Sequence, residues 1–422
     1  MDTPIRPVEE RGRFEAVDVL RGVAVLGILA MNIQSFSMPT IGYMNPTYFP
    51  EYDGLNKAVY AAVHVIFDVK MMTIFSMLFG AGVWFYARKA EGSEDVRPIR
   101  RLWFRRMWWL LVIGMVHAYL IWWGDILVTY AVCGLIGLWW LRRLRQWMQI
   151  SLGLALVLFS CLMSAGSAIV PTMYAHLDSL APDTARAIED AFAGQQQWVA
   201  PTPEQIAEEI TVHRGSYLTV LPTRANNSLI MQVGFIPFFM LWRGTGAMLL
   251  GLALARLGVL TGARSARFYL RMMLACYGVG LPLVIGGVIF NFANDFSLGT
   301  FSLIGAQFNM VGSLPVALGH IALVMLLVKL NVLGWLGTAL AAAGRMALTN
   351  YLMQSLLCTF IFYGYGLGYF GSLDRLEQEL VVLGIWILQL AVSPMWLRRY
   401  RFGPAEWGWR SLTYWSLQPM RR

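Results

Sequence analysis

The sequence predicts an all-α fold, a polytopic membrane helical bundle of about ten transmembrane helices with both termini in the cytoplasm. Three observations carry this reading. Only 14% of the 422 residues are charged and 57% are hydrophobic, against about 25% and 45–50% in soluble domains. Apolar stretches recur from residue 17 to 397 with no soluble block able to build its own core, so residues 1–422 read as a single transmembrane domain. The basic residues come in short groups between those stretches and form no continuous stripe. The net charge of +9 is therefore read as a topology signal, with the lipid bilayer as partner and no nucleic acid. The four cysteines, Cys133, Cys161, Cys276 and Cys358, all lie inside apolar runs without a CxxC pair, so neither disulfides nor a metal is expected.

A crossing helix needs about 20 apolar residues, because an unpaired backbone donor or acceptor in lipid costs several kcal/mol. Ten stretches qualify, near residues 17–36, 59–87, 107–122, 126–141, 148–170, 234–255, 272–293, 303–328, 336–363 and 379–397. The first is read as a permanent helix and not a cleaved signal: Asp18 and Arg21 open it, and it ends in Met31-Asn32 with no small-x-small cleavage site. Counting Lys and Arg in alternate loops gives 24 on the side of both termini, including Arg6, Arg11, Arg13, Arg88 and Lys89, and five on the other. The termini are thus expected inside. Residues 171–233 then form an extracytoplasmic loop with seven acids and short helices after Pro182 and Pro203. No internal repeat is visible, which weighs against a transporter built from duplicated halves.

Four cations fall within the spans, Arg21, Lys70, Arg243 and Arg345. Such residues are costly in lipid and usually face a protein interior or a wet cavity. Asp18 and Arg21 share one face of the first span, and Asn32 returns to nearly that face roughly 16 Å further along; the stripe reads either as helix packing with an end-of-span ion pair or as a functional surface. In the second span His64 and Asp68 sit at i and i+4, shortly before Lys70. That span is longer than one crossing needs: a break near Asp68 to Lys70, with a re-entrant or tilted entry, would resolve the excess, and equally His64 and Asp68 read as wet residues near the outer surface. His117 lies below the short turn that carries Asp125, an acid able to orient the imidazole for proton transfer. A membrane histidine is equally an interhelical hydrogen-bonding residue, and His320, with no acid near it in sequence, is read so. In the ninth span Arg345 and Thr349 share one face and Asn350 and Gln354 another, about 140° apart. Arg243 precedes Gly244 and Gly246, which read as packing contacts.

The segments Val17-Asp18-Val19-Leu20-Arg21-Gly22, Phe75-Ser76-Met77-Leu78-Phe79-Gly80, Gly124-Asp125-Ile126-Leu127, Gly344-Arg345-Met346-Ala347-Leu348-Thr349-Asn350-Tyr351 and Phe402-Gly403-Pro404-Ala405-Glu406-Trp407 resemble the bacterial YeiB-like membrane proteins, a domain of unknown function. The first of them is also similar to the opening helix of transmembrane acyltransferases. That resemblance implies a multi-pass protein of the bacterial inner membrane. It also implies transfer of an acyl group from cytoplasmic acyl-coenzyme A to an extracytoplasmic sugar, glycan or related acceptor. One departure matters: the bacterial O-acyltransferases carry a His eleven residues after the helix arginine, where this chain has Asn32, so another residue must act as base. Joined to the residue pattern, the resemblance implies that Arg21, paired with Asp18, and Arg101, Arg105 and Arg106 meet the coenzyme A phosphates. His117 deprotonates the acceptor or carries the acyl group, with Asp125 orienting it. Arg345 and Asn350 steady the thioester oxyanion, and Asn32, His64 and Asp68 contact substrate. A small-molecule transporter or exporter lined by the same polar groups, and a noncatalytic scaffold using the acidic loop, are the alternatives.

Overall fold

Helices form wherever the apolar runs let the backbone satisfy its own donors and acceptors, as lipid demands. A computed structural model describes residues 15–49, 54–87, 96–174 and 176–422; Arg6, Arg11, Arg13, Arg88 and Lys89 of the charge tally lie outside them. The main helices are α1 (Glu15–Ser37), α2 (Gly54–Ile66), α3 (Lys70–Ala87), α4 (Arg97–Val116), α5 (Leu127–Cys133), α6 (Gln146–Gly166), α7 (Pro182–Val199) and α8 (Pro203–His213). They continue with α9 (Tyr217–Ile230), α10 (Leu241–Arg256), α11 (Ala266–Ala293), α12 (Ala306–Lys329), α13 (Gly334–Arg345), α14 (Ala347–Phe362), α15 (Arg375–Arg399) and α16 (Pro404–Tyr414). Among the described residues the extended pairing is limited to one bridge, Tyr400 with Arg421.

The protein is an all-α membrane bundle: among the described residues, seven helical segments are long and apolar enough to cross a bilayer. The other three expected spans are helical but irregular. The stretch expected at 107–122 is the second half of α4, whose first half carries Arg97, Arg100, Arg101, Arg105 and Arg106, followed by a π-turn over His117–Ile121. Leu127–Leu141 and Ala347–Phe362 are shorter apolar helices. The expectation of one continuous helix over 336–363 is corrected. The chain breaks at Met346, with φ −107° and ψ 29°; the Ala343 carbonyl there accepts the Met346 amide at 3.1 Å and, as a second donor, the Asn350 side-chain amide at 3.1 Å. Arg345 and Thr349 consequently sit on different helices and share no helical face.

The break expected in the second span is present. Val69 has φ +63°, and the Lys70 amide donates to the Asp68 carbonyl at 2.7 Å, closing a γ-turn. A β-branched residue there is strained, and its surroundings must hold it. The boundary of the outer segment differs from expectation. Residues 217–233 belong to a helical run, Tyr217–Arg256, that passes through a π-helical stretch at Met231–Met240 containing Pro237. Proline supplies no N–H, and wider turns absorb the missing bond.

Glycines set the closest helix contacts, because without a Cβ two backbones can approach. A Cβ on Gly80 of α3 would collide with the Met248 carbonyl of α10, and one on Gly251 with the Met77 carbonyl. Gly246 of α10 packs likewise on Gly153 of α6. Gly22 of α1 faces the Leu340 carbonyl of α13, and Gly344 faces that of Asp18. The last pair shows that α13 runs back along α1 toward Asp18, after which α14 turns inward again, its Gln354 donating to the Val25 carbonyl at 3.2 Å.

Candidate functional site

Where α1, α3, α4, α5, α13, α14 and α16 converge, they enclose a cavity of about 480 Å³, within the usual size range of small-molecule sites. Its mouth carries Asp18, Arg21, Arg106, Arg345, Glu406 and Arg410. Arg21 Nη1 donates to Asp18 Oδ1 at 2.9 Å, and the Arg106 guanidinium lies 3.6 Å from the centre of the Trp409 ring. Stacking of this kind leaves the in-plane donors of an arginine available to an anion. Glu406, on α16, reaches the start of α14, where burial pushes its carboxyl up from the usual range against the opposing bonds from Thr349 and Leu348. Beyond the mouth the walls turn apolar, with Val25, Ile28, Phe75, Phe79 and Leu110, and the inner end is closed by Tyr130 and Tyr351.

Behind Tyr351 lies a buried polar cluster. The Tyr351 and His117 ring centres are 5.1 Å apart. His117 Nδ1 and Asp125 Oδ2 are 2.7 Å apart, and His117 Nε2 and Ser355 Oγ 2.9 Å. Asp125 is held from its other side by the Val128 amide, 2.7 Å from Oδ1. On the side away from the cavity, Trp122 stacks on Phe36 at 3.9 Å, and its buried indole N–H has no acceptor among the described residues. From Tyr351 in the cavity lining, the rings of His117 and Trp122 follow in succession at 5.1 and 6.4 Å.

The structure brings Asp18, Arg21, Arg106 and Arg345 into one cavity and sets His117 and Asp125 directly behind it. The remaining expected residues lie elsewhere. Arg101 is exposed, and Arg105 packs toward the Trp415 ring at 5.8 Å; neither lines the cavity. Asn32 is half-buried outside the lining. Asn350 is fully buried, holding the Met346 break and bonding Ser393 Oγ at 3.1 Å. His64 and Asp68 form a pair at 3.1 Å in a second nest. There Tyr43 Oη donates to Asp68 Oδ1 at 2.9 Å, Asn309 Nδ2 donates to Asp68 Oδ2 at 2.7 Å, and Lys70 Nζ donates to Asn309 Oδ1 at 2.5 Å. Arg243, also fully buried, bonds Met310 O and Ser313 Oγ of α12. His320 bonds Tyr277 and the Ile66 carbonyl.

Residue pattern assigned no role to Ser355, Tyr351, Glu406 or Arg410. Tyr351 and Glu406 stand inside the matched motifs, but nothing local marks what they touch. Ser355 carries no signal at all, since a lone hydroxyl in an apolar helix ordinarily bonds its own backbone.

Fold and site define a class, a helical membrane protein with an arginine-mouthed cavity that ends at a buried histidine–carboxylate pair. Residues 254–416 match the model of a family described as a protein of unknown function, DUF418. The chain is 31% identical to the uncharacterized protein YeiB of Escherichia coli (strain K12) over 95% of its own length and 96% of that protein's. It is 30% identical to the uncharacterized protein YxaH of Bacillus subtilis (strain 168) over 99% and 98%. An uncharacterized 39.9 kDa protein encoded in the amylase 3′ region of Bacillus acidopullulyticus is 25% identical over 97% and 96%. The chain belongs to the YeiB-like DUF418 family.

Proposed function

We propose that this protein transfers an acyl group from acyl-coenzyme A, entering at the arginine-rich end, to an acceptor at the opposite end of the bundle. The observation that carries the reading is the cavity itself: guanidinium groups at the mouth, an apolar channel beyond, and an imidazole–carboxylate pair behind its inner wall. Coenzyme A has the matching order of parts, with phosphates first, then a flexible arm, then the thioester. Arg21, Arg106 and Arg410 would take the phosphates by charge-assisted bonds, and the aromatic walls would take the arm and a short acyl chain. The excess of Lys and Arg on this side supports its assignment to the cytoplasmic face of a bacterial inner membrane, where the donor is made. His117, with its tautomer held by Asp125, supplies the proton acceptor that Asn32 does not.

The test is a density map of purified protein with acetyl-coenzyme A, paired with thiol release assayed in proteoliposomes. Nucleotide density among Arg21, Arg106 and Arg410, with acceptor-dependent thiol release, is the expected result. Protein-dependent flux of a small molecule without thiol release would instead establish transport.

A further inference from the structure

We propose that Ser355 is the nucleophile of a covalent acyl-enzyme intermediate, completing a Ser355–His117–Asp125 triad assembled from three separate segments of the chain. The inference rests on the reading of the cavity as an acyl-donor site. The two contacts, 2.9 Å from Ser355 Oγ to His117 Nε2 and 2.7 Å from His117 Nδ1 to Asp125 Oδ2, have the order and lengths that activate a hydroxyl. Asp125 cannot turn away, because its second oxygen is bound to the Val128 amide. With its proton on Nδ1 facing the carboxylate, the imidazole presents Nε2 as acceptor and Ser355 becomes the donor.

Other hydroxyls in these helices meet backbone carbonyls: Thr73 that of Val69 at 2.7 Å, Ser76 that of Met72 at 2.9 Å, and Ser228, across to another segment, that of Ala118 at 2.8 Å. Ser355 differs in its partner, a ring nitrogen of a carboxylate-held imidazole. Its place also suits the donor. It follows Tyr351 at i+4 on α14, roughly 6 Å further in along the helix, and Tyr351 lines the cavity's inner end. The Tyr351 hydroxyl is held there by one long bond, 3.3 Å from the Ile126 amide, so turning this ring opens the channel to the serine. His117 itself begins a π-turn, a local geometry frequent at functional sites.

In the first half-reaction Ser355 Oγ attacks the thioester carbonyl and its proton passes to His117 Nε2. The C–S bond breaks, and the thiolate leaves with that proton as free coenzyme A, forming the serine ester. In the second, His117 takes the proton of the acceptor hydroxyl or amine, the new bond forms at the ester carbonyl, and Ser355 Oγ leaves and recovers the proton. No other reactant is needed.

The experiment treats the full-length protein in detergent with a fluorophosphonate probe and, separately, with radiolabelled acetyl-coenzyme A in the absence of acceptor, mapping adducts by peptide mass spectrometry. Adducts on Ser355 that disappear in Ser355→Ala and fall at least tenfold in Asp125→Asn and His117→Ala support the triad. A hydroxylamine-labile acetyl group on Ser355 supports the intermediate. Thiol release at the normal rate in Ser355→Ala overturns the inference and leaves acyl transfer standing. Phosphonylated Ser355 with no acetyl incorporation and no thiol release keeps the activated serine and removes the coenzyme A donor. Absence of any Ser355 adduct, with Ser355→Cys equally unreactive, overturns the proposal.

Discussion

Glu406 reaches back in sequence to hold Thr349: its Oε2 accepts the threonine hydroxyl hydrogen at 2.6 Å, while Oε1 accepts the Leu348 and Thr349 amides at 2.7 and 3.1 Å. Helix α14 starts at a break, and its first amides have no partners of their own, so a side chain from α16 caps it. Glu406→Ala should lower stability by about 2 kcal/mol, the cost of a lost cap with buried donors left unpaired. Glu406→Gln, which keeps an acceptor oxygen, should lose less. Thermal unfolding in detergent measures both.

Gly344→Ala should be poorly tolerated although alanine favours helices. The added methyl would meet the Asp18 backbone and force α13 away from α1, with a cost on the order of 1–3 kcal/mol from overpacking. A Gly384→Ala control, where a Cβ meets open space, should change the melting temperature little.

Asn309 joins the two ions of the second nest, accepting from Lys70 and donating to Asp68. Asn309→Leu strips both of that bond while leaving them buried, and should cost about 3 kcal/mol or more. A double-mutant cycle of Asp68→Asn with Lys70→Met should show a coupling of about 1 kcal/mol or more, because the doubly neutral nest no longer contains a charge left without compensation. Additive effects would contradict this.

His213, at the end of α8, stacks on Phe370 at 4.2 Å, and burial lowers its pKa to about 4. The unfolded value is about 6.5, so the unfolded chain binds more protons between the two. Stability is therefore full above about pH 6.5 and falls as pH drops toward 4, by about 3 kcal/mol at most. His213→Phe should flatten that part of the stability profile. An unchanged slope in the variant would assign the acid sensitivity to other groups.

Arg21→Gln and Arg106→Gln should each raise KM for acyl-coenzyme A about tenfold through loss of a charge-assisted contact. Arg101→Gln, exposed and away from the cavity, should stay within about twofold, as expected for a solvated surface charge. Equal effects at all three positions would point to a diffuse surface field.

The membrane fold was legible because lipid imposes one rule, apolar length with self-satisfied backbone, and that rule can be counted along a chain. The break at Asp68 to Lys70 was legible for the same reason, through excess length. The break at Met346 was not: Ala342 to Asn350 contains no proline, and α14 is started by Glu406 from a distant helix. Of the proposed site, Arg21 beside Asp18 and His117 beside Asp125 could be paired through short separations. Arg101 and Arg106 could not be told apart, because which arginine of α4 faces the cavity depends on where α16 lies.

By itself the sequence determined that this is a helical membrane protein, where its apolar segments fall, and which ionisable groups the bilayer must be shielded from. Only the tertiary structure decided which of those groups meet. It divided them into an arginine-mouthed cavity and a separate Lys70–Asn309–Asp68 nest, and it set Ser355 against His117. The physical reason is that insertion cost is a local property of each segment, whereas the partner that offsets a buried charge can come from any helix that packing brings within about 3 Å.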